Sequence, residues 1–143
     1  MIRITFEDII RIHKQSIDMY GGLDGLRDPG RIDSSINGMY QTIFGEEAYP
    51  ELTDKASTLV TGIVMGHPFL DGNKRTGVSA MISFLQINGY DLEVTNEELI
   101  EFGLAIAQNQ MDREQIKAWL EAHKKQKEKG PSDKKPNGLG DDE

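Results

Sequence analysis

Cysteine is absent from the 143 residues, which excludes disulfides and thiolate metal sites. That usage fits a reducing compartment, so a cytoplasmic location is expected. Long apolar runs are missing as well. Nothing approaches the roughly 20 consecutive apolar residues that cross a bilayer, and no membrane partner is expected. The opening MIRITFEDII turns acidic at Glu7 and Asp8 without an apolar core or cleavage site, so it does not read as a secretory leader. Basic charge is scarce: 16 Lys and Arg stand against 24 Asp and Glu, for a net charge of −8. Such a chain lacks the basic clustering that direct nucleic-acid binding needs. Histidine occurs only three times, and none of the others is spaced to join His67 and Asp71 in a metal set. A soluble cytoplasmic protein acting on a protein or a nucleotide is the reading left open.

What the sequence does contain is helical periodicity in one domain large enough to bury a core. Thr5 and Asp8 form a capping-box signal for a helix over about residues 5–20, with Phe6, Ile9, Ile10, His13 and Ile17 on its apolar face. His13 reads there as a core or half-buried residue. GGLDGLRDPG, Gly21 to Gly30, is rich in breakers and reads as a structured loop. Ile32, Ile36 and Ile43 suggest a second helix ended by Gly45. Leu52 to Gly66 makes a third, with Ala56, Leu59, Val60, Ile63 and Val64 inward. A fourth, about Asn73 to Asn88, is apolar around most of its girth and is expected to be central and buried. Thr95 with Glu98, and Asp112 with Gln115, open a fifth and a sixth; the last should bury Ile116, Trp119 and Leu120. The pattern stops at residue 123. Residues 124–143, of mixed charge with prolines and glycines, are expected to form a flexible tail. The fold class is therefore all-α: about six helices around a central buried one.

Between the third and fourth patterns lies HPFLDGNKRTG, His67 to Gly77. Pro68 disfavours helical dihedrals at His67, so the incoming helix should stop near Gly66. Gly72 sits where a chain turning into a helix often needs unusual dihedrals. The N–H groups of Gly72 to Arg75 should then face outward unpaired at a positive helix end, a ready phosphate site. His67, a proton acceptor near neutral pH, would stand across the loop from it. A base beside an anion cradle points to phosphoryl or nucleotidyl transfer. The P-loop template fits worse, because Asn73 intervenes between Gly72 and Lys74 and a helix, not a strand, precedes the loop. Taken singly, each residue also has a plainer role: His67 as a helix-end residue bonding a carbonyl, Asp71 as a first-turn acid, Asn73 as an N-cap, Arg75 as half of a surface ion pair.

HPFLDGNKRT resembles the active-site loop of the Fic/Doc family, whose pattern runs His-x-Phe-x-Asp/Glu-Gly-Asn-Gly-Arg-x-x-Arg. His67, Phe69, Asp71, Gly72, Asn73 and Arg75 match. Lys74 replaces the last glycine, as in the Doc (death-on-curing) toxin branch, and Val78 stands where Fic enzymes have a second arginine. Tyr20 to Ile36, YGGLDGLRDPGRIDSSI, also resembles the Doc N-terminal region, and the likeness covers about residues 1–123. The resemblance implies a domain over 1–123 with the loop at the start of the central helix. It implies ATP and Mg²⁺ as cofactors, with His67 as general base, Asp71 as Mg²⁺ ligand and Phe69 as a plug into the core. Gly72, Asn73, Lys74 and Arg75 would hold phosphate, Arg75 also acting in catalysis. A flap that aligns target peptides is expected near residues 44–52. The implied activity is transfer of the γ-phosphate of ATP to a hydroxyl of a protein, with a translation elongation factor as the implied target. The alternatives are a Fic-like AMP-transferase and a catalytically silent binding protein. Some Fic proteins carry an inhibitory Ser/Thr-x-x-x-Glu-Gly/Asn helix of their own. Here the nearest string, Thr42 to Glu46, is followed by Glu47, so inhibition by an antitoxin in trans is expected.

Overall fold

The computed structural model describes residues 1–127. Six helices form the body: α1 Phe6–Tyr20, α2 Pro29–Met39, α3 Leu52–Gly66, α4 Asn73–Ile87, α5 Asn96–Ala107 and α6 Arg113–His123. Two small antiparallel ribbons decorate it: β1 Thr42–Ile43 with β2 Glu46–Glu47, and β3 Tyr90–Leu92 with β4 Lys124–Gln126. The all-α expectation holds.

Three capping boxes start helices where local sequence asked for them: Thr5 with Asp8, Thr95 with Glu98, and Asp112 with Gln115. A fourth, Glu51 with Asp54, opens α3. Each satisfies orphan N–H groups of a first turn and stabilises its helix by about 1 kcal/mol.

The core collects the inward stripes of every helix. Leu59, Val60 and Ile63 of α3 meet Ala80, Met81, Phe84 and Leu85 of α4, all with no solvent exposure. Fully burying one such Leu, Ile or Phe side chain is worth about 1.5–3 kcal/mol. The helix carrying the loop, α4, packs on α1, α3 and α5, while α3 packs on α2, α4, α5 and α6, so the two share the centre. Gly77 permits their close approach: a Cβ there would lie 2.6 Å from Val64 Cγ2 and 3.4 Å from the Val60 carbonyl oxygen. At its far end α4 becomes exposed at Ile87. In α6, Ile116 and Leu120 are buried, but Trp119 is only half-buried, stacked on Phe102 at 3.8 Å between centroids.

Two segments differ from expectation. Helix α2 ends at Met39, and Ile43 lies exposed in a hairpin. The β-branched pair Thr42-Ile43 leads into Phe44-Gly45, both at positive φ (52° and 81°), the backbone of a two-residue hairpin turn. The hairpin covers 42–47 rather than the 44–52 expected for a flap. Its base is tied to α3 by the buried Lys55, whose ammonium donates to the Glu47 carboxylate and the Tyr49 carbonyl. The expected tail also begins otherwise: Lys124–Gln126 pair with β3, because Tyr90–Leu92 would else be an open edge. Its remainder, 128–143, lies outside the described residues.

The turn after α4 gathers both ends of the described chain. The Asn88 side chain accepts from the Ile2 N–H (2.7 Å) and donates to the Ile2 carbonyl (2.9 Å), while the Lys127 N–H donates to the Gly89 carbonyl (2.9 Å).

Candidate active site

The loop between α3 and α4 is built from its own side chains and from the segment after α1. Helix α3 ends where Pro68 disfavours helical dihedrals, and His67 takes the left-handed conformation (φ 51°, ψ 55°) as its C-cap, its ring exposed. Such a conformation is uncommon for a residue with a Cβ and persists only where its surroundings enforce it. Here Arg27 enforces it: Nε and Nη2 both donate to the His67 carbonyl, at 3.1 and 2.7 Å. The Arg27 and Asp28 N–H groups donate to the Pro68 carbonyl at 2.7 and 2.9 Å, and the Leu70 N–H donates to the Gly25 carbonyl at 3.0 Å. The breaker-rich segment thus braces the loop.

Phe69 plugs into the core, 2% exposed, and stacks face to face on His13 at 3.7 Å with the rings 3° from parallel. His13, itself 2% exposed, donates from Nε2 to the Asp71 carbonyl at 2.8 Å. A carbonyl can only accept, so Nε2 carries the proton. His13 therefore holds the loop from beneath. Its place on the apolar face of α1 announced burial but gave no sign of its partner, which is 58 residues away.

Asp71 is exposed and accepts from the Leu23 N–H (3.1 Å) and the Gly72 N–H (2.9 Å), one on each carboxylate oxygen. Those two bonds, Leu23's first, and the Arg75 charge hold its carboxyl below the usual carboxylate range. It is an anion at neutral pH with lone pairs left on both oxygens. Among the described residues no cluster of three or more acidic or imidazole groups surrounds it. A Mg²⁺ held here would rest on one carboxylate and take its other oxygens from phosphate and water, a usual arrangement for that ion.

Gly72 caps α4 in the left-handed conformation (φ 78°), and the first helical bond runs from the Thr76 N–H to the Gly72 carbonyl at 2.9 Å. The cradle is one donor smaller than the sequence suggested, because Asp71 takes the Gly72 N–H. The N–H groups of Asn73, Lys74 and Arg75 precede the first intrahelical bond. Asn73 does not cap the helix. Its side chain reaches back to Phe69, accepting from the N–H at 2.9 Å and donating to the carbonyl at 3.0 Å, which leaves one amide hydrogen for a ligand. Arg75 is in no surface ion pair among the described residues: Nε donates to Ser16 Oγ at 2.9 Å, Nη2 to the Gly21 carbonyl at 3.1 Å, and Cζ lies 5.0 Å from the Tyr20 ring centre. Three of its five N–H donors remain. The Lys74 stem lies along α5, where a Cβ on Gly103 would be 3.2 Å from Lys74 Cγ, and its ammonium pairs with no carboxylate among the described residues.

His67, Leu70 and Asp71–Arg75 together line an open cleft of about 390 Å³. A second cleft, about 330 Å³ between α2 and α3, holds Arg31 and Arg113. Both are paired there, Arg31 with Asp28 at 3.4 Å and Arg113 with Asp54 at 3.3 Å, so that cleft offers an anion less.

The model of the Fic/DOC family matches residues 3–85. Among curated proteins, the chain is 41% identical over 73 residues to "Toxin Doc" of Mycolicibacterium smegmatis, a match covering 51% of this chain and 56% of that protein. It is 37% identical over 89 residues to "Protein kinase doc" of Escherichia phage P1, covering 62% and 70% respectively. The first match thus spans little more than half of its relative. With the family model running from the N-terminal segment through the His67–Arg75 loop to Leu85 in the last turn of α4, this chain belongs to the Fic/DOC family.

Proposed function

We propose that this chain is a Doc-like toxin enzyme that moves the γ-phosphate of ATP to a hydroxyl of a protein, with Mg²⁺ as cofactor. The observation that carries this reading is the loop itself. An exposed histidine, an ionised carboxylate and a helix start with three N–H donors share one cleft with Lys74 and Arg75. The relative called a protein kinase lends support. A translation elongation factor is the target class implied by the resemblance, and a small antitoxin would restrain the enzyme in trans.

In this reading His67 takes the proton as the target oxygen attacks the γ-phosphorus. The new O–P bond forms as the bond to the β–γ bridging oxygen breaks, and ADP leaves with that oxygen. Asp71 would hold Mg²⁺, which supplies charge neutralisation between the phosphates when bound. The N–H groups of Asn73–Arg75 and the remaining donors of Arg75 orient the phosphate chain. Lys74 decides which phosphorus faces His67. With its stem along α5, it lines the cleft where a Fic loop has glycine and narrows the room for phosphate there, so the chain settles with the γ-phosphorus presented. Val78, in place of a second arginine, removes a donor that AMP transfer would use.

The test is incubation with bacterial lysate and ATP labelled at either the α- or the γ-phosphorus. Protein label from γ alone is expected, with sharp loss in Lys74→Gly. Label from α would establish AMP transfer instead, and no label from either would leave a binding protein.

A further inference from the structure

The cleft has a chemical gap. Its lining is suited to phosphate, and apart from Leu70 it offers nothing apolar to receive a nucleobase. If the chain binds a nucleoside triphosphate, the base must lie beyond the lip. Two aromatic rings among the described residues are largely exposed, Tyr20 at 65% and Phe44 at 102%. Phe44 stands at the hairpin tip, whereas Tyr20 packs against a residue of the cleft, its ring centre 5.0 Å from Arg75 Cζ. Met19 and Leu23, at 72% and 66%, are exposed beside it in sequence. An exposed ring packed on a residue of the phosphate cleft, with exposed apolar residues near it in sequence, is suited to stack a planar heterocycle.

The ends of the cleft fix which nucleotide orientation would use that platform. His67 stands at the end of α3, while the Arg75 guanidinium is fastened to the end of α1 through Ser16 and Gly21. With the γ-phosphorus at His67, the phosphate chain runs along the helix start to Arg75 and the nucleoside emerges at α1. With the α-phosphorus at His67, the nucleoside emerges at the opposite end and Tyr20 is left out. We propose that Tyr20 is the base-stacking residue of the nucleotide site, one face of its ring toward Arg75 and the other toward a purine. This rests on the proposed use of ATP and sharpens it, because only the γ-transfer orientation employs the ring.

The experiment compares equilibrium binding of MgATP and of magnesium tripolyphosphate, which has the phosphates without the nucleoside. Parent, Tyr20→Ala and Tyr20→Phe proteins are titrated by calorimetry. The parent should bind ATP more tightly than tripolyphosphate. Tyr20→Ala should lose about fivefold or more in ATP affinity, the lower range for removing a base–aromatic stack, with tripolyphosphate affinity unchanged. Tyr20→Phe should bind both like the parent. Unchanged ATP affinity in Tyr20→Ala overturns the assignment. So does an equal loss for both ligands, since the ring would then act only by holding Arg75. A parent that binds tripolyphosphate as tightly as ATP also removes the platform, while leaving the phosphate cradle standing. A parent that binds neither overturns the proposed function itself, and the platform with it.

Discussion

At the scale of the residue, His67 combines two demands that are normally separate. Its backbone closes α3 in a left-handed conformation clamped by Arg27, and its ring stands free in the cleft. Removing the ring should therefore leave the loop in place. His67→Ala is expected to cut phosphate transfer by about 10²–10⁴, the range for loss of a general base, and to abolish growth arrest on expression. Asparagine tolerates left-handed dihedrals better than alanine, so His67→Asn separates backbone from chemistry. Both variants should fold, as judged by thermal denaturation, and both should be inactive. Transfer at the parent rate in either would exclude His67 as the base. The exposed members of the loop are legible in the sequence because their spacing is local. His13 is not: a histidine on an apolar helix face looks the same whether it fills the core or props up an active loop. Only the fold brings it under Phe69 and Asp71.

At the scale of the element, helix starts are the most legible features. A capping box is a signal spread over four residues, and three of the four boxes stand out in the sequence. The end of α2 is masked there, because Ile43 keeps helical phase with Ile36 while the turn at Phe44-Gly45 overrides that phase. The breakers of residues 21–28 announce a structured loop, but local pattern cannot place it as the brace of the His67–Arg75 loop, since its side-chain bonds reach 40 residues or more along the chain. The unforeseen box at Glu51–Asp54 carries the clearest stability consequence. Asp54 caps α3 and also braces α6, with Lys117 Nζ at 3.0 Å and Arg113 Nη1 at 3.3 Å. Burial pushes its carboxyl up, but the hydrogen bonds from Lys117 and from the Glu51 N–H, with the charges of Lys117 and Arg113, outweigh that and hold it below its ordinary 3.8. A carboxyl depressed in the folded state stabilises the fold above the ordinary value and ceases to do so as pH falls through the depressed one. Asp54→Asn should thus lower unfolding free energy at pH 7 by about 1–3 kcal/mol, as expected for losing charge-assisted hydrogen bonds at a mostly buried site. The deficit relative to the parent should shrink below pH 3.8. Urea unfolding at pH 7 and pH 3 checks it, and a deficit independent of pH would point to packing alone.

At the scale of the whole molecule, the proposed toxin has no internal restraint in its described residues that resembles the Fic inhibitory helix. The nearest string, Thr42–Glu46, is folded as a hairpin. Expression of this chain alone should arrest growth, and co-expression of a small antitoxin of the kind proposed above should restore growth. Harmless accumulation of folded protein would count against the toxin reading. A last consequence follows from the meeting of Ile2 and Lys127 at the Asn88-Gly89 turn. The cleft lies at the opposite end of α4, 15 residues away, or about 22 Å of helix. Seen as a path, the described chain is a nearly closed ring fastened at one point, with the cleft at the antipode. A short linker could join residue 127 to residue 2 and the ring be opened instead at the Phe44-Gly45 tip. The resulting circular permutant would keep every contact of the His67–Arg75 loop while freeing the hairpin's two strands to serve as new termini.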